Sequence, residues 1–122
     1  MTCSVSVIEI DGVKYVPESE AKPPVDLSDM VIARTVNAGV HYGKVKSKCL
    51  KEGRLTLEQS RRLWRWSGAA SLSELALRGV KNPGDCRFAV RLPEIEVLGV
   101  IEVIPCSEDA VRVIEEVPEW TA

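Results

Sequence analysis

The chain has 122 residues, of which 45% are hydrophobic and 28% charged, with a formal net charge of -2. That length and balance fit one folded domain and exclude a second large domain, a collagen-like repeat and a wholly disordered polymer. No apolar run approaches the ~20 residues a membrane helix needs, and Met1-Thr2-Cys3-Ser4-Val5-Ser6 lacks the basic-then-apolar order of an export signal.

In chain order, Val5–Ile10 and Val13–Val16 flank Asp11-Gly12. A two-residue Asp-Gly loop between β-rich runs predicts a hairpin over residues 1–17, because both loop residues need positive φ. Residues 18–29 carry Pro23-Pro24, small residues and acids, a composition that reads as a linker. The main domain is then expected over 30–122.

Met30–Val36 and Val40–Lys48, separated by Asn37-Ala38-Gly39, predict a second hairpin, and Leu55–Leu57 a following strand. Residues 58–66 admit two readings. Thr56 with Gln59 resembles a helix-opening capping box, whereas Arg62, Trp64 and Trp66 alternate with Arg61, Leu63 and Arg65 as a strand does. The alternation favours strand. Ser71-Leu72-Ser73-Glu74 is a capping box, and Leu72, Leu75 and Ala76 followed by Gly79 describe a short helix with a left-handed stop. Asn82-Pro83-Gly84-Asp85 turns the chain, and Arg87–Leu92 and Glu94–Ile104 read as strands. Ser107-Glu108-Asp109 opens a second helix that Pro118 prevents from extending. The expected class is α+β: an antiparallel β-sheet with two short helices, preceded by a small N-terminal β-hairpin.

Charge is segregated along the chain. Residues 34–65 carry nine basic and two acidic residues, net +7, between flanks of -4 (1–33) and -5 (66–122). This asymmetry bears on partners in a way the total does not. A strand over Val40–Lys48 places Tyr42, Lys44, Lys46 and Lys48 on one face, roughly 6 to 7 Å apart. Arg61, Arg62 and Arg65 interleave with Trp64 and Trp66, offering guanidinium forks for phosphate beside rings for a nucleobase. The candidate ligand-binding residues are therefore His41, Tyr42, Lys44, Lys46, Arg61, Arg62, Trp64 and Arg65. Each has a plainer reading: a lysine row is often a guarded sheet edge, tryptophans are often core or interface, and Arg beside Trp is often packing.

Catalytic and metal signatures are missing. There is no nucleophile elbow, phosphate loop, His-Glu-x-x-His or dinucleotide fingerprint. One His excludes a multi-histidine metal centre. Cys3, Cys49, Cys86 and Cys106 lie 46, 37 and 20 positions apart, without the close pairs of a zinc site, and are expected as thiols. A non-enzyme without metal or cofactor is expected.

Arg34–Gly43 and the run Arg61-Arg62-Leu63-Trp64-Arg65-Trp66-Ser67-Gly68-Ala69-Ala70-Ser71-Leu72, continued through Gly79-Val80, Pro83, Cys86, Phe88, Ile104-Pro105 and Val117-Pro118-Glu119-Trp120, resemble a family of small phage and prophage proteins known as a domain of unknown function. The family's motif carries an aromatic residue where Arg65 stands here. The resemblance implies a viral accessory protein in a bacterial host's cytoplasm and brings no catalytic residue. Joined to the basic, aromatic middle segment, it yields the expectation of an anti-defence sponge: a non-catalytic, homo-oligomeric protein that sequesters a small anionic nucleotide-derived immune signal. A nucleic-acid-binding accessory is the alternative, disfavoured by the acidic remainder. A protein inhibitor of a host factor, anchored by Trp64, Trp66 and Trp120, is another.

Overall fold

The structure is a computed structural model that describes residues 27–122. The expected hairpin of residues 1–17 and nearly all of the linker lie outside the described residues. The elements are β1 (Met30–Thr35), β2 (Val40–Cys49), β3 (Arg54–Arg65), α1 (Leu72–Arg78), β4 (Arg87–Phe88), β5 (Leu92–Leu98), β6 (Val100–Pro105) and α2 (Glu108–Glu115). Six mostly antiparallel strands with two helices make this an α+β fold.

β1 and β2 form the expected hairpin around Asn37-Ala38-Gly39. The Thr35 hydroxyl donates to Gly39 O (2.8 Å) and accepts from the Ala38 N–H (2.7 Å), and Gly39 takes the positive φ of 85° the turn requires. Residues 58–65 are strand, continuing β3 to twelve residues. Hydrophobic alternation prevails there over the weak capping signal, since β3 has partners along both edges. β2 lies along one edge; β5 pairs with its first half and β4 with its end on the other.

The hydrogen-bonded path runs β5-β3-β2-β1-β6. Its two ends are joined in sequence by Gly99 alone, so Leu98 and Val100 stand within roughly 7 Å of each other. The sheet must therefore curl until its edges meet. Gly99 O accepts from the Val36 N–H (2.9 Å) and the Val100 N–H donates to Gly53 O (3.0 Å), pinning that seam. The single strand expected over Glu94–Ile104 is thus two strands, broken where Gly99 adopts φ 74°. The strand expected over Arg87–Leu92 shrinks to Arg87–Phe88; the Ala89 N–H still donates to Arg62 O (2.9 Å), and Leu92 already opens β5 opposite Ser60.

Curling gives the sheet two buried faces. Val31, Ala33, Leu55, Leu57 and Val97 fill the concave side, and Met30, Ile32, Tyr42, Leu63 and Phe88 pack the convex side beneath Leu75, Ala76, Ala110 and Ile114 of the helices. Both helix starts follow the sequence expectation. Ser71 Oγ accepts from the Glu74 N–H (3.2 Å) while Glu74 accepts from the Ala70 N–H (2.8 Å), and Ser107 Oγ accepts from the Ala110 N–H (3.0 Å).

The α1 stop differs in detail: Gly79 has φ 79° but ψ -151°, outside the left-handed helical region. Its lack of a side chain serves packing as well, since a Cβ there would stand 2.6 Å from Val113 Cβ on α2. Gly79→Ala combines a strained backbone with a wedge between the helices. It is expected to lower unfolding free energy by about 2–4 kcal/mol, read from urea denaturation, with the midpoint falling and the slope unchanged.

Candidate functional site

Register and curvature divide the eight sequence candidates among different surroundings. Tyr42 and Arg61 are cross-strand partners on the convex face, under the helices. Tyr42 is fully buried and its hydroxyl donates to Glu115 Oε2 (2.8 Å); burial first, then the Glu115 carboxylate, hold the phenol far above its usual pKa. Arg61 is 2% exposed and donates to Ile114 O (3.0 Å), Ala89 O (3.4 Å) and Phe88 O (3.5 Å), with its guanidinium 5.4 Å from the Phe88 ring centroid. Neither faces solvent, so neither is placed to meet a ligand; both fasten α2 to the sheet. Glu115 completes the fastening through an ion pair with Arg91 (2.6 Å), which also donates to Gln59 O (2.7 Å).

Lys44 donates to Ser28 O (2.9 Å), and Lys46 is paired with Glu94 on the surface (2.7 Å), which raises its pKa through that hydrogen bond and charge. The β1–β2 register is unbroken, so Lys44 keeps the face of Tyr42; the first β2–β3 register shift adds its extra residue to β3, and only the second, between Val45 and Ser47, adds one to β2, so the expected lysine row is interrupted after Lys44.

His41 lies opposite Arg62 and faces the concave side beside Ala33. It is 1% exposed. Its Nε2 lies 2.8 Å from Ala38 O, which makes Nε2 the protonated nitrogen, and Nδ1 is a buried acceptor without a hydrogen-bond partner among the described residues. Burial, with the Arg62 charge adding to it against the Ala38 hydrogen bond, pushes the imidazole below its ordinary 6.5. The unfolded chain therefore binds the proton first, so His41 lowers stability as pH falls through about 6.5 toward the depressed folded value. His41→Gln should flatten that acid limb in denaturation midpoints measured between pH 7 and pH 5.

Arg62, Trp64 and Arg65 are exposed at the end of β3. Trp64, 61% exposed, stacks on Trp120 with ring centroids 6.3 Å apart and planes 9° from parallel. The Trp120 N–H donates to Phe88 O (2.9 Å), which docks the C-terminal stretch beside β4 and brings the second indole into place. Arg87 lies over Trp120, 5.1 Å from the ring centroid, and is the cross-strand partner of Arg65. Next to them a cavity of about 640 Å³ is lined by Arg65, Trp66, Ser67, Gly84, Asp85, Cys86, Arg87 and Trp120. Among the described residues, Arg62, Arg65 and Arg87 have no carboxylate partner within ion-pair distance.

A further cavity, of about 670 Å³, borders α2 near Leu27 and Asp29. Glu108, Glu115 and Glu116 line it, which disfavours an anion. Cys106 sits there with its thiol pushed up by burial to about 12, protonated and poorly nucleophilic. Cys86 is also a free thiol, whereas Cys49 is disulfide-bonded, a correction to the expectation of thiols throughout. No cluster of metal-ligating side chains occurs among the described residues, and no helix there is long and apolar enough to cross a membrane.

The structure thus links Trp64 and Arg65 through Trp120 and Arg87, leaves Arg62 exposed earlier on β3 opposite His41, and separates all three from the buried Tyr42 and Arg61. Sequence reasoning missed Arg87 altogether and took Trp120 only as an interface anchor. No local pattern ties positions 87 and 120 to position 64; the β3–β4 pairing does.

No curated protein and no solved structure matches the chain. A family model described as a domain of unknown function, DUF6948, matches residues 28–114. That span runs from the lead into β1 nearly to the end of α2, taking in the whole curled sheet, and the chain belongs to this family.

Proposed function

We propose that this protein is a non-catalytic binder of a small nucleotide-type anion, with Trp64 and Trp120 as the base platform and Arg62, Arg65 and Arg87 as phosphate donors. The observation that carries the reading is the exposed, nearly parallel pair of indoles beside guanidinium groups with no carboxylate at ion-pair distance among the described residues. A base has a flat π face to stack on, and planar guanidinium groups hold phosphate through two parallel hydrogen bonds.

In the bacterial cytoplasm, the setting implied by the resemblance to phage proteins, such a binder acts as a sponge for a nucleotide-derived immune signal, lowering its free concentration by mass action. Homo-oligomerisation belongs to the same proposal, because an open platform gains enclosure from a second surface. The nucleic-acid reading draws on the same openness, and the acidic flanks of the sequence weigh against a long polyanion.

Calorimetry decides between them. Mononucleotides and cyclic dinucleotides are expected to bind, and Trp64→Ala should weaken them about 10- to 100-fold, the loss of one stacking contact worth roughly 1–3 kcal/mol. A heat signal restricted to oligo-dT, steeply lost with salt, transfers the site to single-stranded nucleic acid. Silence with every one of these ligands removes the proposal.

A further inference from the structure

β3 exposes Arg62 and Trp64, two positions apart, while Arg61 and Leu63 before and between them are buried under the helices. Arg62 lies opposite His41 across the β2–β3 ladder. It lines the mouth of the curled sheet, a cavity of about 210 Å³ bordered by Ala38, His41, Ile95, Glu96, Val97 and Leu98. Arg62 therefore stands on β3 between a mostly apolar recess and the aromatic platform that begins two residues later.

We propose that the ligand is a phosphodiester-linked dinucleotide, one base stacked on Trp64, the linking phosphate held by Arg62 and the second base entering the mouth beside His41. This rests on the reading of the Trp64 surface as a nucleotide platform and extends it to a second subsite. The recess has the chemistry of a base pocket: aliphatic walls from Ala38, Ile95, Val97 and Leu98, the Glu96 carboxylate, which keeps the phosphate outside it, and a buried histidine. His41 Nδ1 is the buried side-chain polar atom that lacks a partner among the described residues. With Nε2–H committed to Ala38 O and the ring kept neutral by burial, Nδ1 remains an acceptor. An exocyclic amino group, as on adenine, carries the donor this acceptor lacks, and leaving a buried acceptor unmet is unfavourable. A mononucleotide can satisfy the platform or the recess, and a linked pair satisfies both at the entropic cost of one molecule.

His41 is the one histidine of the chain, so its ring nitrogens give unambiguous ¹⁵N signals. The test compares AMP with the adenylyl dinucleotide ApA by calorimetry and by the His41 ring resonances, in the full chain and in Leu98→Trp, which plugs the recess from an exposed position. The dinucleotide is expected to bind at least tenfold more tightly than AMP and to shift Nδ1, and Leu98→Trp should bring its affinity down to that of AMP. Equal affinities with an unmoved Nδ1, in a protein whose AMP binding still depends on Trp64, overturn the second subsite and leave the platform standing. Absence of binding by both ligands overturns the platform and the dinucleotide proposal with it.

Discussion

Arg61→Ala is expected to destabilise the protein by about 3–5 kcal/mol, the largest loss from any single truncation at the sheet–helix contact. The side chain is 2% exposed, and its guanidinium serves three carbonyls on two separate segments, Phe88 and Ala89 at the end of β4 and Ile114 near the end of α2. The last of these lies at the negative end of a helix, where a cation is favoured, and the Phe88 ring offers its face to the same charge. Desolvation by burial, followed by the like charge of Arg91, lowers the Arg61 pKa, while Glu115 and Glu119 oppose that shift. Truncation opens a cavity and deprives Ala89 O of the donor it has here. Arg61→Met refills most of the volume and isolates the hydrogen-bonding part, so its cost should be smaller, about 1–2 kcal/mol. Urea denaturation of the three proteins measures both. An Ala variant within 1 kcal/mol of the parent that nevertheless loses ligand affinity would return Arg61 to the phosphate-binding role its sequence neighbourhood suggests.

That neighbourhood shows how far residue pattern carries. Elements set by local chemistry were legible: the Thr35–Gly39 hairpin, the Ser71 and Ser107 caps, and the strand alternation through Arg61–Arg65. What alternation cannot say is which face is covered. In Arg61-Arg62-Leu63-Trp64, the apolar Trp64 is outside with Arg62, and the charged Arg61 is inside with Leu63. A reader of hydrophobicity assigns both arginines to solvent, because buried arginine is rare unless its donors are met. The donors' acceptors belong to residues 88, 89 and 114, out of reach of any window on β3. The same holds at Gly99, a single residue whose sheet-closing role depends on β5 and β6 pairing with opposite ends of the strand path. Distant pairing also assembles the candidate site. Trp120 meets Trp64 only because its amide bonds to Phe88, itself held by Leu63 in the β3–β4 ladder.

The double replacement Arg65→Glu, Arg87→Glu should weaken nucleotide binding by more than 100-fold while leaving the fold intact. The two residues are cross-strand partners, and like charges set opposite each other are mildly unfavourable to a sheet. Among the described residues no carboxylate lies within ion-pair distance of either, although Asp85 lines the same cavity. Their juxtaposition thus contributes little to folding, and it is accounted for if an anion occupies the space between them. Each charge-assisted hydrogen bond to phosphate is worth roughly 1.5–3 kcal/mol; losing two exceeds the ~2.8 kcal/mol that corresponds to a hundredfold. Exchanging both charges at once preserves the like-charge opposition, so thermal denaturation should give midpoints within a few degrees of the parent and separate a binding defect from a folding defect. Single Arg→Ala changes relieve the repulsion and should leave stability unchanged or slightly higher, with intermediate affinity. Binding that survives the double exchange within twofold, in a folded protein, would mean that the phosphate lies elsewhere, with Arg62 the remaining exposed guanidinium on that face of β3.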